Sequence, residues 1–144
     1  MSRKHFGTDG VRGVANQGLT PEFAFSLGQA AGRWLLSSGD AQSAVIGRDT
    51  RRSGPMLGAA LASGLCSVGV DALAIGVVPT GCVSYVARTG EYGLGAVISA
   101  SHNPAPDNGI KLMGHDGRKL ADSIEEEIEG LLDVAVSPRP TGGG

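Results

Sequence analysis

Apolar residues in this chain occur in two arrangements. Short unbroken runs alternate with stripes spaced three or four residues apart, and this alternation predicts the elements. Thr20-Pro21-Glu22 opens a helix with a capping hydroxyl, a proline at the first helical position and an acid in the first turn. Phe23, Leu27, Ala30 and Trp34 then recur on one face, and Ser37-Ser38-Gly39 closes it. Gly28 and Gly32 lie four apart, a spacing that lets another element approach closely. Ala44-Val45-Ile46-Gly47 reads as a buried strand ending at Arg48-Asp49-Thr50-Arg51. A second helix spans about 53–68, with Leu57, Leu61 and Leu65 at four-residue spacing. Residues 70–75 form the next strand. Pro79-Thr80 opens a shorter helix through Val83, Val86 and Ala87, and residues 95–99 make a further strand. Ile110 to Met113, the turn His115-Asp116-Gly117 and Arg118 to Leu120 read as a hairpin. A last helix starts at Asp122, with Ile124, Ile128, Leu131 and Leu132 inward and Glu125, Glu126, Glu127 and Glu129 solvated. Residues 6–18, rich in glycine, read as a loop.

Strands alternating with helices of this length predict an α/β fold: three layers, α/β/α, around a mixed, mostly parallel sheet. Residues 1–136 form one domain. Residues 137–144, Ser-Pro-Arg-Pro-Thr-Gly-Gly-Gly, read as the start of a linker or a flexible tail.

Composition narrows the partners. Of 144 residues, 24 are glycine, placed between apolar runs as turns and close-packing points, not as a linker tract. The net charge of −2 gives no electrostatic reason for a nucleic-acid or membrane partner. No apolar run approaches the ~20 residues of a membrane span, and no apolar core follows the basic start Arg3-Lys4. Cys66 and Cys82, in apolar surroundings, do not suggest a disulfide framework, and a cytoplasmic location is expected.

In sheets of this kind ligands collect at the carboxyl ends of the strands. Two polar clusters fall there: Arg48-Asp49-Thr50-Arg51 and Ser101-His102-Asn103. Ser101 ends an apolar run, Ala96-Val97-Ile98, and precedes a turn rich in Asn, Pro and Gly. It reads either as a turn former or as a hydroxyl that carries a phosphoryl group. In the second case Asn103, Gly109 and the turn amides offer N–H donors, and Lys111 and His102 offer cations. Lys111 lies between Ile110 and Leu112, so strand alternation turns it to the opposite face. Arg12, Arg48 and Arg51 carry guanidinium forks suited to phosphate, and Asp9 and Asp49 are placed to pair with such arginines and hold the loops. A Ser–His hydrolase fails: there is no G-x-S-x-G elbow, and adjacent side chains are poorly placed for triad proton transfer. Gly76 to Gly81 has P-loop spacing but is followed by Cys82. Gly93-x-Gly95 lacks a third glycine, and two cysteines with three scattered histidines make no zinc set. His5 and His115 read as surface residues.

At these residues the chain resembles the α-D-phosphohexomutase superfamily. Four segments carry the likeness in family order: Phe6 to Gly13, Gly47 to Arg51 with Ser53-Gly54, Val78-Pro79-Thr80, and Ile98 to Lys111. Gly81-Cys82 and Ala105-Pro106 depart from the usual family residues. The resemblance implies that Ser101 is a phosphorylated serine and one oxygen ligand of Mg2+. It ties Lys111 and Arg12 to proton transfer and to the moving phosphoryl, and makes His102 and Asn103 shapers of the loop. The implied reaction interconverts glucosamine 6-phosphate and glucosamine 1-phosphate through a bisphosphate. The likeness covers only the first of four family domains, so the other mutase domains, which carry the metal carboxylates and the sugar-reading loops, are expected partners. A glucose or mannose phosphate specificity, or a stand-alone domain that binds a partner or sugar phosphate, remains an alternative.

Overall fold

The computed structural model describes residues 4–134. The expected tail, 137–144, lies outside the described residues. Among the described residues five strands form one sheet in the order β1-β5-β4-β2-β3: β1 (Val11–Val14), β2 (Ser43–Arg48), β3 (Asp71–Val77), β4 (Leu94–Ile98) and β5 (Asp107–Gly114). β2 is parallel to both β3 and β4, whereas β5 is antiparallel to β4 and β1. Four strands therefore point one way, and their carboxyl ends share an edge with the start of β5.

The helices are α1 (Pro21–Ser38), α2 (Gly54–Ser67), α3 (Thr80–Thr89) and α4 (Asp122–Leu132). The ends of α1 are set by local chemistry. Thr20 Oγ1 accepts from Phe23 N at 3.1 Å, and Gly39 in the left-handed region (φ 82°) stops the helix. One face of the sheet packs on α1, α2 and α4 through a large core that includes Ile46, Ile98, Ile110 and Leu112 with Leu27 and Leu61. Each fully buried leucine or isoleucine there contributes roughly 1.5–3 kcal/mol. The opposite face carries a smaller core, Val45, Val83, Ala87, Val97 and Met113, under α3. Helices on both faces make the expected three layers. α1 and α2 touch backbone to backbone: a Cβ on Gly64 would lie 2.1 Å from Phe25 O, and one on Gly28 2.3 Å from Leu61 O.

Four expectations change. Val11–Val14, inside the expected loop, is a strand, because its backbone completes the ladder of β5 about a hundred residues away. Arg118 to Leu120 does not make a second hairpin strand: the turn closes through a single Met113–Lys119 bridge, with bonds from Gly114 N to Arg118 O and from Leu120 N to Leu112 O. Glu125 and Glu129 are buried, not solvated. Lys119 Nζ meets Glu125 Oε1 at 2.9 Å. Glu129 clasps the opening segment: its oxygens accept from the backbone N–H of Lys4 (2.5 Å), His5 (2.8 Å) and Phe6 (2.7 Å). Burial works against this charge, but the three N–H donors and the nearby His5 outweigh it and hold the Glu129 carboxyl below its ordinary value. Both cysteines are free thiols; Cys66 is exposed and Cys82 half-buried, a less apolar setting than expected. Among the described residues no helix is long and apolar enough to cross a membrane.

Candidate active site

The shared edge where β1, β2 and β4 end carries an open cleft of ≈ 920 Å³, lined by Val14 and Gln17 from the first segment, Asp49 to Ser53 from the second, and Ser101 and Asn103 from the third. Asp49 N donates to Ile98 O at 3.1 Å, which locks the end of β2 to the end of β4. The two polar clusters of the sequence are thereby brought together.

Ser101 is an exposed lining residue of the cleft, three residues past β4, with φ 54°. A left-handed conformation at a residue other than glycine costs about 1–2 kcal/mol and persists only where the surroundings impose it. The surroundings do so through its own peptide groups. Ser101 N donates to Ser99 Oγ (3.1 Å), Ser99 Oγ donates to Asp49 Oδ2 (2.7 Å), and Ser101 O accepts from Arg51 Nη2 (3.0 Å).

Arg12 reaches the serine from β1. Its Nη2 lies 3.3 Å from Ser101 Oγ and its Nη1 3.4 Å from Asn103 Oδ1. These are long bonds, so the guanidinium is only loosely committed. Its buried Nε has no partner. The path to the serine exists because position 109, paired with Arg12 across the ladder, is glycine. A Cβ there would stand 3.0 Å from Arg12 Cγ and 2.7 Å from Ser99 O. The opening loop is seated in the same way: a Cβ on Gly10 (φ 84°) would sit 2.3 Å from Ile110 O.

Lys111 is half-buried on β5, two residues from Gly109 and so on the same face as the Arg12 stem. Ile110 and Leu112 are fully buried on the other face, as alternation predicts. His102 is exposed next to Ser101. Asn103 bridges the loop, with Nδ2 3.4 Å from Asp107 Oδ2. The backbone N–H groups of Asn103 and Gly109, expected as phosphate donors, are spent on Ala100 O and Asn108 Oδ1.

The other two arginines make contacts of a different kind. Arg48 is not part of the cleft around Ser101. Its side chain lies along the start of α2, with Cδ 3.2 Å from a Cβ built on Gly54, and lines a separate small cavity. Arg51 is at the cleft but faces the loop's carbonyls, with Nε 3.1 Å from Asp49 Oδ2. Asp49 holds an arginine as expected, while Asp9 is exposed and forms no ion pair among the described residues. Sequence reading did not single out Ser99, nor Asn108, which is fully buried and donates from Nδ2 to Ser53 Oγ at 2.7 Å. For Arg51 a signal was present: Asp two residues before it is an Asx-turn pattern, realised as Arg51 N to Asp49 Oδ1 at 3.0 Å.

Comparison with known proteins agrees with this fold. The family model for phosphoglucomutase/phosphomannomutase, alpha/beta/alpha domain I, matches residues 3–136. The chain is 57% identical over 142 residues to a phosphoglucosamine mutase of Desulforamulus reducens, covering 97% of this chain and 32% of that protein. It is 54% identical over 141 residues to one of Bacillus cereus, with 96% and 32% covered. Among solved structures, a putative phosphomannomutase from Thermus thermophilus superposes with a TM-score of 0.83 at 34% identity, covering 92% of this chain and 30% of that one. The chain thus spans about a third of the length of the curated relatives it matches.

Proposed function

The chain belongs to the phosphoglucomutase/phosphomannomutase family as its α/β/α domain I, and from that premise we propose that it is the phosphoryl-carrying domain of a phosphoglucosamine mutase. The observation that carries the proposal is Ser101: an exposed hydroxyl in a strained, left-handed turn with the Arg12 guanidinium on its oxygen. A hydroxyl destined to bear about −1.5 to −2 charge needs a cation and open space, and this one has both.

In the proposed cycle the phosphoryl on Ser101 Oγ passes to the 1-hydroxyl of glucosamine 6-phosphate. The Oγ–P bond breaks, the new O1–P bond forms, and the hydroxyl proton leaves to a base. The bisphosphate reorients, Ser101 Oγ takes the phosphoryl from O6, and glucosamine 1-phosphate departs. Arg12 follows the charge on the moving group, a role its two loosely held Nη donors support. Lys111, on the same face, moves the proton between sugar hydroxyl and serine oxygen. Asn103 ties Arg12 to the loop, and His102 shapes the turn. Arg48, along α2, is assigned no contact with the reacting atoms.

Family resemblance implies Mg2+. The residues of this chain do not fit that ion by themselves. Mg2+ favours octahedral oxygen ligands that include carboxylates. Two carboxylates beside the Ser101 loop are engaged, Asp49 by Arg51 and Ser99 and Asp107 by Asn103. No group of three His, Cys, Asp or Glu side chains stands ready among the described residues. Ser101 therefore supplies at most one ligand, and the remainder belong to domains outside this chain.

The test is a chimera in which this domain replaces the matching part of the Desulforamulus reducens relative. Interconversion of the two glucosamine phosphates is expected, with loss of turnover in Ser101→Ala. Turnover that survives Ser101→Ala sinks the proposal.

A further inference from the structure

We propose that Arg51 is a positioning residue that builds the Ser101 turn and that it does not bind phosphate. The inference rests on the reading of Ser101 as the phosphoryl carrier. A guanidinium has five N–H donors. In Arg51 all five are taken: Nε by Asp49 Oδ2 (3.1 Å), Nη1 by Pro104 O (2.9 Å) and Asp107 O (3.2 Å), and Nη2 by Ser101 O (3.0 Å) and Asn103 O (3.0 Å). The side chain is 11% exposed. A phosphate could gain a donor from it only by breaking a bond to the loop that carries Ser101.

The four carbonyls explain the arrangement. Ser101, Asn103 and Pro104 belong to no helix or strand, so their carbonyls lack ladder partners, and a planar fork satisfies them together with the carbonyl of Asp107 at the start of β5. Asp49 is the other half of the device. It fixes Arg51 through backbone and side chain and accepts from Ser99, whose oxygen holds Ser101 N. The peptide groups on the two sides of Ser101 are thus tied to one ion pair: the N–H through Ser99 and Asp49, the C=O directly to Arg51. The left-handed φ of Ser101 follows from these two anchors. Lysine at position 51 would bring the charge but only three donors from a single point, so it cannot span these carbonyls.

Two measurements test this in the chimera described above. First, amide hydrogen exchange is followed in Arg51→Ala and Arg51→Lys. Exchange of residues 101–107 is expected to rise about tenfold or more as their anchors go, with α1 and α2 unchanged. Second, kinetics are compared. Both variants are expected to lose ~100-fold in kcat with KM nearly unchanged, as for a misplaced reacting group. Guanidinium ion should restore part of the activity of Arg51→Ala but not of Arg51→Lys. If Arg51→Ala fails to fold, Arg51→Lys and Ser99→Ala carry the exchange test. A raised KM with kcat preserved, or unchanged loop exchange, overturns the proposal. Failure of the mutase reading shows elsewhere, as turnover that survives Ser101→Ala, and the exchange result stands apart from it.

Discussion

Glu129→Gln isolates the clasp that seats the opening segment leading to Arg12. The native carboxylate offers two acceptor oxygens, one to His5 and Phe6 and the other to Lys4. The amide replaces one oxygen with an NH2 group, so at least one backbone N–H faces a donor and loses its acceptor. An unsatisfied, partly buried donor costs about 1–3 kcal/mol, and the bonds that remain also lose their charge assistance. We expect Glu129→Gln to destabilise the fold at pH 7 by about 2 kcal/mol, measured by urea unfolding. The sign of the pH dependence follows from the direction of the shift. The folded pKa is lowered, so the stabilisation is fully present above the ordinary value of 4.5 and is lost as pH falls through the folded value. Wild-type stability should therefore fall between pH 5 and more acid conditions more steeply than that of Glu129→Gln, and the two curves should converge. Parallel curves across that range, or a variant as stable as wild type at pH 7, would refute the reasoning.

Two further substitutions probe packing and path. Gly64→Ala sets a methyl 2.1 Å from Phe25 O, which only a separation of α1 from α2 can relieve. A loss of about 3 kcal/mol in unfolding free energy is expected, and an unchanged Tm would contradict the close contact. Gly109→Ala crowds both Ser99 O and the Arg12 stem. Turnover in the chimera should fall by ~100-fold, with a stability loss of about 1–3 kcal/mol; full activity would show that Arg12 does not need this path.

The elements that were legible in the sequence are those whose signals are local. α1 announced itself through Thr20, Pro21 and Gly39, and the runs 44–47 and 95–99 have strand composition with nothing charged to interrupt them. β1 was not legible: Val11–Val14 sits among glycines, and its reason to be extended is a partner strand a hundred residues on. The burial of Glu125 and Glu129 was hidden for a similar reason. Each lies in a run of acids that resembles a solvated face, and each is offset by a group outside the helix: Lys119, six residues before Glu125, and the distant backbone of residues 4–6 for Glu129. At the site, residue type pointed to Ser101, Arg12 and Lys111, and alternation oriented Lys111 on its strand. Residue type alone did not tell a guanidinium that faces a cleft from one that faces carbonyls. Arg12 and Arg51 look equivalent in sequence, and only the course of residues 101–107 separates them.

The most direct test of the central claim is phosphopeptide mapping of the polypeptide that carries this domain, purified from its source cells with phosphatases inhibited and then incubated with glucosamine 1,6-bisphosphate. One phosphoryl ester is expected, on Ser101. A fully unmodified Ser101 after that incubation, or a phosphoryl on another residue in its place, would contradict it.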